Sequence, residues 1–121
     1  MRLQRILEEL VAETPGVKAA ILADWEGEAV VFSPQNNGAN YHIKLVGAHH
    51  GVILDQAREM TQKTSLGQAR QITFFLQNFH VITTPINRDY YLVLTLDPHA
   101  IPGRAKPMLK KALRELEEEI A

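Results

Sequence analysis

The chain contains no cysteine. That absence excludes disulfides, thiolate nucleophiles, zinc fingers and iron–sulfur ligation together. A dominant charge is missing as well. Thirteen Lys and Arg stand against fourteen Asp and Glu, a net charge of −1. Such a balance gives no global field to draw in nucleic acid or an acidic membrane. Aromatics are sparse at 7%, with a single Trp. They do not interleave with basic residues as a base-stacking platform requires, so nucleic acid is not an expected partner. Long hydrophobic runs are lacking too. A membrane-spanning helix needs roughly 20 apolar residues, and no stretch here approaches that, so membrane insertion is not expected. Residues 1–13 carry charges throughout and lack the apolar run of a signal peptide. A cytoplasmic location is the expectation.

What is present is ordinary for a globular protein. The 121 residues are 45% apolar and 22% charged. Folding a chain of this length removes roughly 65% of its unfolded surface from water, enough for a core without staples. One domain, residues 1–121, is expected.

Residues 2–13 read as a helix, with Leu3, Ile6, Leu7, Leu10 and Val11 on one stripe. Thr14-Pro15-Gly16 stops it. Residues 17–24 and 28–33 read as two strands joined by a hairpin turn over Asp24–Gly27. Trp25 at that tip is either a cover for the sheet edge or a partner anchor. Residues 34–40 form a loop. Residues 41–62 read as one helix, with Val46, Ile53, Ala57 and Met60 near one face and His42 and His49 close by. Gly47 and Gly51 each cost about 1 kcal/mol inside a helix, and each permits close approach of another backbone. Residues 68–77 read as a third strand, with Ile72, Phe74 and Leu76 on one face and Ala69, Gln71 and Thr73 on the other. Gln77-Asn78 is a tight turn. Residues 79–86 and 90–97 read as strands four and five, the fifth apolar on both faces and so central. Pro85 removes a ladder donor and belongs at a strand end.

The last helix begins near Arg104, with Pro107 in the first turn, where backbone N–H groups lack partners anyway. Its buried stripe is Met108, Leu109, Ala112, Leu113, Leu116 and Ile120. Lys106, Lys110, Lys111 and Arg114 precede Glu115, Glu117, Glu118 and Glu119, an order that opposes the helix dipole. The pairs Lys111–Glu115 and Arg114–Glu118 recover a few tenths of a kcal/mol each. The element order α-β-β-α-β-β-β-α defines an α+β fold, one antiparallel sheet with helices on both faces.

Catalytic patterns are absent. His42 and His49 stand about 10 Å apart along a helix, too far to share one ion. No histidine finds a second ligand at i+3 or i+4, so no metal is expected. Ser33 and Ser65 lie in no nucleophile elbow. The paired glutamates sit on exposed helix faces, without the shared burial that acid–base chemistry needs. No phosphate-cradling glycine motif occurs, and no cofactor is expected. Gly103-Arg104 and Lys106 open a helix with basic residues, a common feature that also suits an anion.

Three stretches carry a family resemblance. They are LQRILEELVAETPGV, the hairpin AAILADWEGEAV with Asp24 and Gly27, and YYLVLTLDPHAIPGRAKPMLKKALRELEEEI. Together with the element order they resemble the Roadblock/dynein light chain family over essentially the whole chain. The resemblance implies a Roadblock/profilin-like fold: a five-stranded antiparallel sheet, first and last helices on one face, middle helix on the other. It implies dimers whose third strands pair edge to edge and whose middle helices pack together. The implied interface residues are His42, Val46, Gly47, His49, His50 and Ile53 on the helix, with Ala69, Gln71 and Thr73 on the strand. Histidines in that interface would make association depend on pH near 6–7. Prokaryotic members of the MglB type bind a small Ras-like GTPase and stimulate its hydrolysis; others are scaffolds. The expected function is therefore a non-enzymatic homodimeric module that regulates or scaffolds such a GTPase. The alternative is a small-molecule sensor, with Phe32, Tyr41, Phe74, Phe75 and Tyr91 lining a pocket between helix and sheet. A third class, an enzyme built on His42, His49 or His50, has no supporting motif.

Overall fold

The computed structural model describes residues 2–24, 29–34, 59 and 71–120. Within them the order is α1 (Arg2–Glu13), β1 (Val17–Asp24), β2 (Ala29–Ser33), β3 (Ile72–Phe75), β4 (His80–Pro85) and β5 (Tyr90–Leu96). A 3₁₀ turn (Pro102–Ala105) then leads into α2 (Lys106–Ile120). The strands form one antiparallel sheet in the order β2-β1-β5-β4-β3. The expected α+β class and five-stranded sheet are what the structure shows. The middle helix over residues 41–62 lies outside the described residues, as do the Asp24–Gly27 turn tip and Trp25; Glu59, inside the expected helix, is helical and exposed.

Alternation along β1 and β5 divides the core into two layers, because successive side chains leave opposite faces of a sheet. On one face Ala20, Leu22, Val31, Ile82, Leu92, Leu94 and Leu96 pack with Ile6, Leu7 and Leu10 of α1 and Leu109, Ala112 and Leu116 of α2. On the other, Ala19, Ile21, Ala23, Val81, Tyr91 and Val93 form a second cluster, flanked by Phe32, Ile72 and Phe74. Both α1 and α2 therefore lie on the same face, as expected of the first and last helices. The β1–β5 ladder shifts register between Val17 and Ala19. Such a shift sets two residues against one and re-aims the side chain at the bulge. Lys18 is thereby exposed between buried Val17 and buried Ala19.

The connections follow local chemistry. Asn87 Oδ1 accepts hydrogen bonds from the N–H of Asp89 at 2.8 Å and of Tyr90 at 3.0 Å, closing the β4–β5 turn. Pro107 is the second residue of α2, where its missing donor costs nothing. Glu119 at the end of α2 pairs across the helices with Arg2, at 3.0 Å. Both side chains are substantially exposed, so this pair contributes no more than about 1 kcal/mol.

One expectation is corrected here. Of the strand expected over 68–77, residues 68–70 lie outside the described residues, and within the described ones the strand spans Ile72–Phe75, with Gln71, Leu76 and Gln77 outside it. The Leu76 N–H turns to the carbonyl of Phe79 at 3.0 Å and closes the β3–β4 hairpin. Leu76 consequently does not share the buried face of Ile72 and Phe74; it is exposed.

The α1–β1 junction is tightly built. Pro15 cannot continue the helix, and Gly16 adopts φ +85°. Its carbonyl accepts the N–H of Asp97 at 2.8 Å, tying the turn to the chain leaving β5. A Cβ on Gly16 would sit 2.6 Å from the Ala100 Cβ. Gly16→Ala is expected to lower unfolding free energy by about 2–3 kcal/mol, read by denaturant titration, through backbone strain and overlap. Adding Ala100→Gly should restore the steric part only. Thr84, buried with no partner for its hydroxyl among the described residues, gives the opposite sign: Thr84→Val should stabilise by about 1 kcal/mol and raise Tm.

Candidate interaction surface

The sheet order leaves β3 at an edge, where among the described strands it pairs with β4 alone. Its register is Ile72↔Thr83, Thr73↔Ile82, Phe74↔Val81 and Phe75↔His80. Ile72 and Phe74 turn to the face that carries Val81, Tyr91 and Val93. Thr73 stands opposite Ile82, so Thr73 and Phe75 turn to the helix-bearing face. On that face α1 lies over β1 and β2, at the far side of the sheet. Among the described elements β3 is not covered by α1, and Phe75 is 68% exposed.

The hairpin beyond β3 also exposes apolar side chains. Leu76 is 53% exposed and Phe79 48%. The His80 ring meets Phe75 edge-on, centroids 4.8 Å apart, an arrangement in which a ring edge points at a π face. Residues 71–87 contain no Asp, Glu, Lys or Arg. The segment thus carries no acidic or basic side chain, in a chain that is 22% charged as a whole, and its exposed residues include Gln71, Gln77 and Asn78 beside the apolar ones.

Of the expected interface residues, the structure brings two together. Gln71 is exposed just before β3, and its Nε2 donates to Thr73 Oγ1 at 3.4 Å. Thr73 is half-buried within the edge strand. His42, Val46, Gly47, His49, His50, Ile53 and Ala69 lie outside the described residues. Phe75, Leu76 and Phe79 were not among the expected interface residues. What sets them apart in the sequence is the missing charge across 71–87, since charged side chains are one way natural sheets keep an edge from pairing.

The aromatics proposed for a ligand pocket do not converge. Tyr91 is fully buried, with Phe32 and Phe74 packed against its cluster, while Phe75 leaves the sheet on the opposite face; Tyr41 is outside the described residues. The groove between α1 and α2, lined by Ile6, Glu9, Leu10, Met108, Lys111, Ala112 and Glu115, is shallow, open to solvent and encloses little more than a water's worth of space. Sites for small molecules enclose roughly 300–1,000 Å³ and bury most of the ligand. Among the described residues no three His, Asp or Glu are placed to hold a metal ion. No described helix is long and apolar enough to cross a membrane.

A five-stranded antiparallel sheet with two helices on one face and an apolar edge defines a Roadblock-like fold, and solved structures agree. MglB of Myxococcus xanthus superposes with a TM-score of 0.86 at 13% identity, over 99% of this chain and 95% of that one. A Roadblock/LC7 domain from Streptomyces avermitilis gives 0.83 at 13% identity, over 97% and 96%. An MglB structure described as having a tetrameric arrangement gives 0.79 at 17% identity, over 97% and 86%. No family model matches the chain, and no curated protein matches it by sequence. The chain has the Roadblock/MglB-like fold. Identity this low with the fold intact reflects what the architecture requires: burial pattern and volume, rather than particular side chains.

Proposed function

We propose that this chain is a non-enzymatic, cytoplasmic interaction module, a single Roadblock-like domain that forms homodimers and regulates or scaffolds a small Ras-like GTPase. The observation that carries this reading is the Roadblock/MglB-like fold over nearly the whole chain, joined to an uncharged, apolar edge at β3. The family resemblance in the sequence supplies the GTPase. The tetrameric arrangement described for one MglB supports self-association of this fold.

In this reading the β3 edges of two copies pair and extend the sheet, and Gln71 and Thr73 lie along the seam. The dimer presents a surface to the GTPase and orders its switch loops. Ordering those loops shifts their population toward a hydrolysis-competent state, by as much as the dimer's affinity differs between the two states. A scaffold would use the same dimer and bind both states equally.

Thr73→Lys and Thr73→Glu are each expected to weaken self-association by about tenfold or more, since a two-fold seam brings like charges together. An equimolar mixture of the two variants should associate again, as measured by light scattering on a sizing column. Single-turnover GTP hydrolysis by small Ras-like GTPases of the same organism should rise by about tenfold or more with this protein present. Complex formation without a change in rate would remove the activator role and leave the scaffold.

A further inference from the structure

We infer that the basic ridge of α2, formed by Lys106, Lys110 and Arg114, is a docking surface for a short acidic, amphipathic segment of another protein. The inference rests on neither the dimer nor the GTPase.

The order of charges along α2 works against the helix itself. From Pro98 to Arg114 there is no Asp or Glu, and there are five Lys and Arg. Cations in a first helical turn oppose the macrodipole. Lys106, Lys110 and Arg114 stand four residues apart, and like charges at that spacing repel. The fold gives no internal compensation. All five cations are exposed. None forms an ion pair among the described residues. The pairs expected from Lys111 to Glu115 and from Arg114 to Glu118 are not made, while Glu119 turns to Arg2 at 3.0 Å.

The ridge also points away from the nearest acids. Met108, Lys111, Ala112 and Glu115 line the groove against α1, with Glu9 across it. At about 100° per residue, Lys106, Lys110 and Arg114 fall on the far side of α2 from that groove. Because α1 lies over β1 and β2, while α2 shares its core cluster with Leu94 of β5 and Ile82 of β4, that far side borders β4 and β3. Residues 71–87, which include both strands, supply no anion. Half-buried Leu113 lies at the foot of the ridge and gives it an apolar margin.

Length and flanking charge select the occupant. Lys106 and Arg114 are eight residues apart, about 12 Å along the helix. Exposed Glu117 and Glu118 close the ridge at one end. A nucleic-acid duplex or an anionic bilayer presents negative charge well beyond that length and would meet these glutamates. A second copy of the chain fits no better. Setting Lys106 against Glu118 of an antiparallel copy sets Lys110 against Arg114, like against like. An acidic helix does match: carboxylates at i, i+4 and i+8 repeat the spacing of the ridge, and apolar side chains beside them meet Leu113.

The experiment uses the full chain and two labelled amphipathic peptides, one with Glu at i, i+4 and i+8 beside Leu, the other with Gln in place of each Glu. Binding is followed by fluorescence anisotropy at about 50 and 200 mM salt. The Glu peptide is expected to bind about tenfold or more tighter than the Gln peptide at the lower salt, and to lose most of that margin at the higher. In Lys106→Gln/Lys110→Gln/Arg114→Gln the margin should fall to within about threefold, whereas Glu117→Gln/Glu118→Gln should keep or widen it. The melting temperature of the triple variant should be no lower than that of the unaltered chain, since charges opposing the dipole are removed, so lost binding is not lost folding. Equal binding of the two peptides by the unaltered chain would overturn the inference and leave the ridge a solvated face. A margin that survives in the triple variant would overturn the site. Tighter binding of a short DNA duplex, or of vesicles of phosphatidylcholine and phosphatidylserine, than of the Glu peptide would overturn the occupant. Neither self-association nor GTP hydrolysis enters these readouts, so failure of the function proposed above is told apart from failure here.

Discussion

The β1–β5 ladder is the constraint on which the rest of the molecule depends. Both strands are buried on both faces, and each carries one core layer on each side. Leu22, Leu92 and Leu94 anchor the helices, while Ile21, Tyr91 and Val93 anchor the opposite cluster. A slip of one residue in this ladder would exchange the two layers along its whole length. The bulge at Val17 to Ala19 keeps Val17 and Ala20 on the helix side despite their odd spacing, and turns Lys18 into water. With the centre fixed in this way, β2 and β3 fall at the edges.

The two edges are treated differently. On the β2 side, α1 packs across the strand, and Gln4 Nε2 of that helix donates to the Phe32 carbonyl at 2.9 Å. On the β3 side, large apolar residues face outward without charges to deter association. Natural sheets blunt free edges with lysines, prolines or cover. Among the described residues one edge is thus covered by a helix and the other carries no charge. The fold positions that surface and the residues of the hairpin give it chemistry. Fold alone does not define function, which is why the edge and the hairpin matter beyond the likeness to MglB.

Much of this was legible in the residues. The stripe Leu3, Ile6, Leu7, Leu10 placed α1, and Thr14-Pro15-Gly16 placed its end, because proline and glycine act on the backbone directly. Apolar residues on both faces of 90–97 marked β5 as central. Strand three was harder. Ile72, Phe74 and Leu76 keep a period of two straight through the hairpin, and periodicity does not reveal that the Leu76 N–H is used to close the turn. Exposure was hidden for a related reason. Phe75 and Phe79 are core residues by type, and only the sheet order shows that the strand holding Phe75 is the last of the described strands. The aromatic pocket failed on alternation: adjacent Phe74 and Phe75 cannot line one cavity from opposite faces of a sheet.

The packing of α1 against α2 also bears on how the protein is made. Leu7 and Leu10 share a core cluster with Leu109 and Leu116, about a hundred residues later. At ribosomal speeds of roughly 5–20 residues per second, the apolar stripe of α1 waits on the order of 5–20 s for its partner helix to be synthesised. During that interval the stripe is open to chaperones and to wrong partners. Until α2 is made, the helix-side layer of the sheet stays half covered. Folding of the finished layer therefore waits on the synthesis of α2.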